Sequence, residues 1–236
     1  MPIDILALAA HRDDVEQTCA GTLLKMAERG HRTGILDLTQ GEMGTRGTME
    51  DRAREAANAA RILKVSWREA LDIPDGRVEN TWDNRLKVAQ VLRDQRPRVL
   101  ILPYWEGRHP DHYTASVIGY EAAFLSGLAK LPVHGAPHRP FKIIYASLYR
   151  DVRPTFVVDI TEQFETRLAA LMAYKSQFDD QEAGSNIFPA HKEIRARVES
   201  MARYYGMLGG VTYAEPFIQK EVGLVDDVLA LPVKSI

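Results

Sequence analysis

A chain of 236 residues, 45% of them hydrophobic, carries enough apolar side chains for one sizeable core, or a core with a small cap. Its 30 Lys+Arg against 32 Asp+Glu give a formal net charge of -2, which excludes the broad cationic footprint that nucleic acid or an anionic membrane surface requires. A single cysteine, Cys19, excludes a disulfide framework and a multi-thiolate metal cage, and no apolar run reaches the roughly 18–20 residues of a membrane helix.

The N-terminal stretch has no basic leader ahead of Asp13 and Asp14, so a cytoplasmic location is expected. Ile3 to Ala9 reads as a buried first strand, too short for a helix, and Val15 to Arg29 as the helix after it, closed by Gly30. Thr33 to Thr39 is a second strand, followed by a glycine-rich loop from Gln40 to Thr48. That loop lacks both the GK[ST] ending and the GxGxxG spacing of nucleotide-binding loops, and a flexible rim fits it better. Glu50 to Leu63 is an Ala- and Arg-rich helix, Trp67 to Ile73 a third strand, and Trp82 to Gln95 a helix stopped by Pro97. Arg98 to Pro103 is a strongly apolar strand and Thr114 to Leu128 a further helix.

Beyond residue 130 the pattern changes. The proline-rich stretch 131–140 reads as a linker or lid, with strands at Lys142 to Tyr149 and Thr155 to Ile160. Helices are expected at Thr161 to Gln177 and Ala190 to Leu208, a last strand at Val211 to Ile218, and a mobile polar stretch at Phe178 to Asn186. The alternation predicts one α/β domain over 1–236: a Rossmann-like, doubly wound, mostly parallel sheet flanked by helices. Residues 1–130 form its core, and 131–236 a C-terminal strand and helix elaboration with a lid.

Two segments concentrate chemistry. His11-Arg12-Asp13-Asp14 follows the first strand, and Arg108-His109-Pro110-Asp111-His112 follows the strand ending at Pro103. In a doubly wound sheet of order 3-2-1-4-5 those two strands are neighbours at the switch point, where ligands bind beyond the carboxyl ends. His11 and Asp14, three residues apart on a turn entering a helix, can point to one centre, and His112 can supply a third ligand. Two imidazoles and a carboxylate suit Zn²⁺ and leave a position open for water. Asp13, Asp111 and His109 remain to be shared among a base, a proton donor and a carboxylate that orients the donor. Taken singly, each cluster is also what a helix cap or a turn looks like. Cys19 reads as a small buried hydrophobe, and His31, His134, His138 and His191 as surface or turn residues.

The pairing of Ala10-His11-Arg12-Asp13-Asp14-Val15-Glu16 with His109-Pro110-Asp111-His112 resembles the PIG-L/LmbE-like family of zinc-dependent N-acetylglucosaminyl deacetylases. Gly44 to Thr48, Arg52, Glu55, Tyr174 to Phe178 and Gly210 to Glu215 resemble the branch that deacetylates N-acetylglucosaminyl-malate in bacillithiol biosynthesis. The resemblance implies one zinc per chain on His11, Asp14 and His112, with iron(II) or cobalt as other metals such a site accepts. It implies Asp13 as general base, and His109 as the protonated histidine at the oxyanion or leaving amine with Asp111 holding its ring. It also implies Arg52, and with it Arg108, meeting the malate carboxylates. Arg46, Arg52 and Arg108 are expected along the rim. Two features depart from the family pattern: Arg12 stands where small residues or proline are usual and puts a cation beside the metal loop, and the position matching a C-terminal tyrosine of some members is Ile194.

The expected partner is therefore a small N-acetylglucosamine conjugate, with neither nucleic acid nor membrane involved, and the resemblance implies a homo-oligomer, a hexamer among the possibilities. The alternatives are a deacetylase of another conjugate, chitobiose-like or resembling a mycothiol precursor, and a non-catalytic Rossmann-like binding module whose clusters are caps.

Overall fold

The computed structural model of the chain describes residues 2–148, 150–179 and 191–233. Seven strands form one sheet: β1 (Ile5–Ala9), β2 (Thr33–Asp37), β3 (Trp67–Ala70), β4 (Val99–Pro103), β5 (Lys142–Ala146), β6 (Phe156–Asp159) and β7 (Ala214–Ile218). Their order is β3-β2-β1-β4-β5-β7-β6, with β1 to β5 parallel and β7 antiparallel to both β5 and β6. The expected 3-2-1-4-5 order is thus present, and β1 and β4 are the neighbours that flank the switch point.

The central strands are apolar throughout because both faces of the sheet are covered. From β1, Leu6 and Leu8 pack with Leu36, Leu100 and Leu102 into one layer, beneath α4 (Trp82–Gln95) and α5 (Pro110–Leu125). Ala7 and Ala9 alternate to the other face, beneath α1 (Asp14–Thr18), α2 (Ala20–Glu28), α3 (Met49–Ile62) and α6 (Phe164–Leu171). The short α7 (Lys175–Phe178) and the long α8 (His191–Gly209) complete that part of the chain. None of the described helices is long and apolar enough to cross a membrane.

The structure differs from expectation in four places. The first helix is broken at Cys19 (φ -136, ψ 14) into α1 and α2. Side chains from far along the chain satisfy the groups the break exposes. Arg167 donates to the carbonyls of Glu16 and Gln17, and the Glu215 carboxylate accepts the amides of Gly21 and Thr22 at 2.8 and 2.7 Å. The helix expected over 161–177 is likewise two, α6 and α7, with Tyr174 between them. In the other direction α5 starts earlier than expected, with His109 as its N-cap and Pro110 as its first residue, so the second histidine cluster is the first turn of a helix. Finally, the 131–140 loop does not lie over the carboxyl ends of the strands. Arg93 ties it to the ends of α4 and α5 through the carbonyls of Val133 and Gly135, and it enters β5 where Lys142 pairs with Val99 at the start of β4. Of the stretch expected to be mobile, residues 180–186 lie outside the described residues, as do Ala190 and Tyr149.

Candidate metal centre and active site

β1 ends at Ala9 and the chain turns through Ala10 to Asp13 into α1. The His11 amide donates to Asp14 Oδ2 at 2.9 Å and the Asp14 amide to the His11 carbonyl at 3.3 Å, closing the turn so that both side chains face the crevice. β4 runs alongside and delivers His109, Asp111 and His112 on the first turn of α5. Clusters separated by about a hundred residues therefore meet at one place.

His11 Nδ1 lies 3.1 Å from His112 Nε2 and 3.4 Å from Asp14 Oδ2, and His112 Nε2 lies 3.2 Å from Asp14 Oδ1. Ligands of a tetrahedral zinc with bonds of about 2.0–2.1 Å sit about 3.3 Å apart, so the spacing and chemistry of this donor set fit the ion. The charges fit too. Burial disfavours a charged His11 ring, yet Asp14, Asp111 and Asp75 around it push its pKa up to about 12. Burial also works against the Asp14 carboxylate, but His112 and His11 hold it well below its usual range. Carboxylates converging on this buried spot call for a cation.

The structure redirects Asp111. Instead of accepting from the His109 ring, its carboxylate sits 3.3 Å from His11 Nε2 and accepts the amides of Gly76 and Val78 at 2.8 and 3.3 Å. It is the Asp111 backbone amide that donates to His109 Nδ1, at 3.2 Å. With Nδ1 accepting, the proton of a neutral His109 resides on Nε2. The half-buried ring stacks on His112, and burial together with His11 and His112 lowers its pKa.

Asp75, which was not among the expected site residues, joins Asp111 on His11, with Oδ1 3.1 Å from Nε2. Its signal was available: Pro74-Asp75-Gly76 reads as a turn after β3, at the same carboxyl end of the sheet.

Asp13 accepts from Arg52 Nη2 at 2.9 Å on one oxygen and from Gln17 Nε2 at 3.1 Å on the other. Arg52, expected to meet substrate carboxylates, is only 5% exposed and paired with this acid. The glycine-rich loop wraps it: Gly41 has φ +77, and a Cβ there would sit 3.1 Å from Arg52 Nε. That loop is also fastened to α7 rather than forming a flexible rim. Arg46 is buried and donates to the Gln177 carbonyl, Gln177 donates back to the Arg46 carbonyl, and a Cβ on Gly47 would lie 2.6 Å from Ser176 Oγ. Glu55 accepts from both the amide and the hydroxyl of Ser176. Arg12 turns away from the metal turn and donates to the Met49 carbonyl at 2.9 Å.

Two spaces adjoin the cluster. A cavity of about 20 Å³, lined by Leu8, Ala9, Val15, Ile101, Leu102 and Ala146, opens onto Asp14 and His112. On the outer side, Arg108 is exposed in a wider cleft with Trp105, Glu106, Gly107, Tyr113 and Arg150, and Arg150 pairs with Glu106 at 3.0 Å. The remaining expectations are structural ones. Cys19 is buried, and burial raises its thiol pKa. Ile194 is buried in the core, His31 and His134 are exposed, and His138 pairs with the Pro97 carbonyl. The side chain of His191 lies outside the described residues.

A family model described as PIG-L, GlcNAc-PI de-N-acetylase, matches residues 6–123. The diacetylchitobiose deacetylase of Thermococcus kodakarensis is 30% identical over an alignment 224 residues long that covers 89% of this chain and 80% of that protein. Among solved structures, the conserved protein TT1542 from Thermus thermophilus superposes with a TM-score of 0.86 at 41% identity, covering 95% of this chain and 98% of that one. The 4-carboxy-2-hydroxymuconate hydratase GalB from Pseudomonas putida KT2440 shares the fold, with a TM-score of 0.78 at 21% identity over 97% of this chain and 100% of its own.

Proposed function

The chain belongs to the PIG-L family of GlcNAc-PI de-N-acetylases, and from that membership and the geometry above we propose that it hydrolyses the acetamide of an N-acetylglucosamine conjugate, releasing acetate and the free amine. The observation that carries the reading is the His11, Asp14 and His112 donor set with Asp13 fixed beside it by Arg52.

His11 Nδ1, Asp14 and His112 Nε2 would hold a divalent metal, zinc by donor chemistry, with iron(II) or cobalt as other candidates. Bound there, zinc would polarise an acetamide carbonyl and lower the pKa of an adjacent water. Asp111 and Asp75 fix the His11 ring from behind, so that Nδ1 faces the donor set. Asp13, held on both oxygens, takes a proton from the water that attacks the acetyl carbon. His109 offers its Nε2–H to the oxygen of the tetrahedral intermediate. The proton gained by Asp13 is the one the departing amine requires, so the reaction balances without a further donor. The cavity beside Asp14 and His112, with Leu8, Ala9, Ile101 and Leu102 along its inner wall, would receive the acetyl methyl.

For the sugar's other substituent the finer proposal is malate, as in N-acetylglucosaminyl-malate, supported by Arg108 in the outer cleft, where Arg150 is paired with Glu106. A second reading, diacetylchitobiose, is supported by the Thermococcus relative and by Tyr113, an exposed aromatic ring in the same cleft. Incubating the purified protein with each compound and measuring free amine, with and without a chelator and after adding zinc back, tests the proposal. Chelator-sensitive release from neither sugar would overturn it, and the hydratase that shares the fold would then direct the search to water addition.

We further propose that copies of the chain associate as a homo-oligomer, a hexamer among the possible assemblies. Its support is α5, whose outer face carries Tyr113, Val117, Tyr120 and Phe124 at 40%, 39%, 43% and 57% exposure, although its inner face is already buried.

A further inference from the structure

One backbone carbonyl in the metal-binding turn is held from two sides by side chains that the hydrolysis does not use. The Arg12 carbonyl accepts from Arg68 Nη2 and from the Tyr174 hydroxyl. Arg68 comes from β3, and its fork also grips Asp37 at the end of β2, at 2.8 and 3.1 Å, and Glu16 on α1, at 2.6 Å. The Tyr174 hydroxyl lies 3.2 Å from the same Glu16 oxygen. All of these side chains are buried, Glu16 and Tyr174 completely.

The carbonyl they share belongs to the peptide between Arg12 and Asp13. A peptide is planar, so holding its oxygen also sets the direction of the Asp13 amide and the torsions on either side. One residue upstream of this peptide stands His11, and Asp13 and Asp14 follow it directly. A carbonyl has two lone pairs, and a guanidinium and a phenol occupy both here. Turning the peptide would break both contacts, leaving Arg68 Nη2 with Asp37 alone and the Tyr174 hydroxyl with Glu16 alone, and would cost the two hydrogen bonds in a dry interior. An ion pair needed only for stability would be complete with Arg68 on Asp37 and Glu16. Reaching past them to one carbonyl of the catalytic turn is the additional feature.

We propose that Arg68 and Tyr174 are positioning residues, forming a buried clamp on the Arg12 carbonyl that sets the relative placement of His11, Asp13 and Asp14. This gives a role to the Tyr174 to Phe178 stretch beyond packing. The kinetic consequence rests on the deacetylase reading; the consequence for metal binding does not.

Tyr174→Phe is the primary test, because it keeps the ring in the core and leaves Arg68 to neutralise Glu16 and Asp37. Circular dichroism and thermal unfolding verify the fold. Zinc affinity is measured on the apo protein by competition with a chelator, and kcat, KM and their pH profile at saturating zinc. The expected result is a roughly tenfold or larger loss in zinc affinity, in kcat, or in both, with KM within about twofold of wild type. Arg68→Lys keeps the charge but not the fork, and it serves as the second variant should Tyr174→Phe fold poorly. A folded variant with wild-type zinc affinity, kcat and pH profile overturns the clamp. Should the wild-type chain release no amine from any of the sugars, the deacetylase reading fails separately, and zinc affinity alone decides: equality between Tyr174→Phe and wild type overturns the clamp.

Discussion

The Arg52 guanidinium donates to the Asp13 carboxylate at 2.9 Å, and the pair is nearly buried, with side-chain exposures of 6% and 14%. This contact gives Arg52 a role in orienting the acid beside the metal site, a role independent of what the sugar carries. Arg52→Ala is therefore expected to lower kcat by about 10- to 100-fold on N-acetylglucosaminyl-malate and on diacetylchitobiose alike, with little change in KM. Steady-state kinetics on both substrates check this. A loss confined to the malate conjugate, and seen in KM, would instead return Arg52 to carboxylate recognition.

Asp111 and His109 separate in the same manner. The Asp111 carboxylate meets His11 Nε2 and two backbone amides, so Asp111→Asn should weaken metal binding by about 10- to 100-fold. His109→Ala should remove most turnover and leave metal content intact, because its ring stacks on His112 outside the His11, Asp14 and His112 set; loss of metal in this variant would place the ion instead on the other group of donors, His11, His109 and Asp111. Metal analysis after dialysis against a weak chelator, together with kcat for each variant, distinguishes the two. Full metal retention in Asp111→Asn would contradict its placement behind His11.

What the sequence made legible follows from the range over which its signals act. The apolar runs of β1 and β4, and the turn that joins His11 to Asp14, are local, so their positions and the switch point between them could be read directly. The direction of Asp111 could not, because within one helical turn a carboxylate can serve its neighbour His109 or a ring about a hundred residues away, and only the adjacency of β1 and α5 decides. Asp75 is visible locally as a turn residue after β3, but its partner is not, because His11 lies on another strand's turn. The break at Cys19 is invisible to helical periodicity, since the groups that satisfy it, Arg167 and Glu215, come from the other end of the chain. Helix position alone does not show that the glycine-rich loop closes over Arg52.

The cavity beside Asp14 and His112 is where the proposed reaction would seat the acyl group. Its inner wall is made of strand residues, Leu8, Ala9, Ile101 and Leu102, packed at the centre of the sheet, and Thr18, Tyr104 and Glu106 stand on its other sides. Each methylene that fails to fit an apolar pocket costs about 1–3 kcal/mol. N-butyrylglucosamine conjugates are thus expected to be hydrolysed at least tenfold less efficiently than the N-acetyl compounds, measured as kcat/KM. Equal rates on both would place the acyl chain in the open cleft by Trp105 rather than in this cavity.

The outer face of α5 supplies the last expectation. Tyr113, Val117, Tyr120 and Phe124 recur at intervals of four, three and four residues, the spacing of one helix face, while Ala115, Ile118, Gly119 and Ala122 occupy the opposite, buried face. A helix apolar on both sides is at home between two layers, and the second layer we assign is another copy of the chain. Phe124 is the most exposed of the four, so Phe124→Glu removes apolar contact area and places a charge in the proposed interface without touching the core. Light scattering after size-exclusion chromatography should show a larger mass for the wild type than for the variant, with the variant's thermal stability as a monomer preserved. A wild-type chain that elutes as a monomer at all concentrations, or a variant with the same mass as wild type, would remove α5 from any subunit contact.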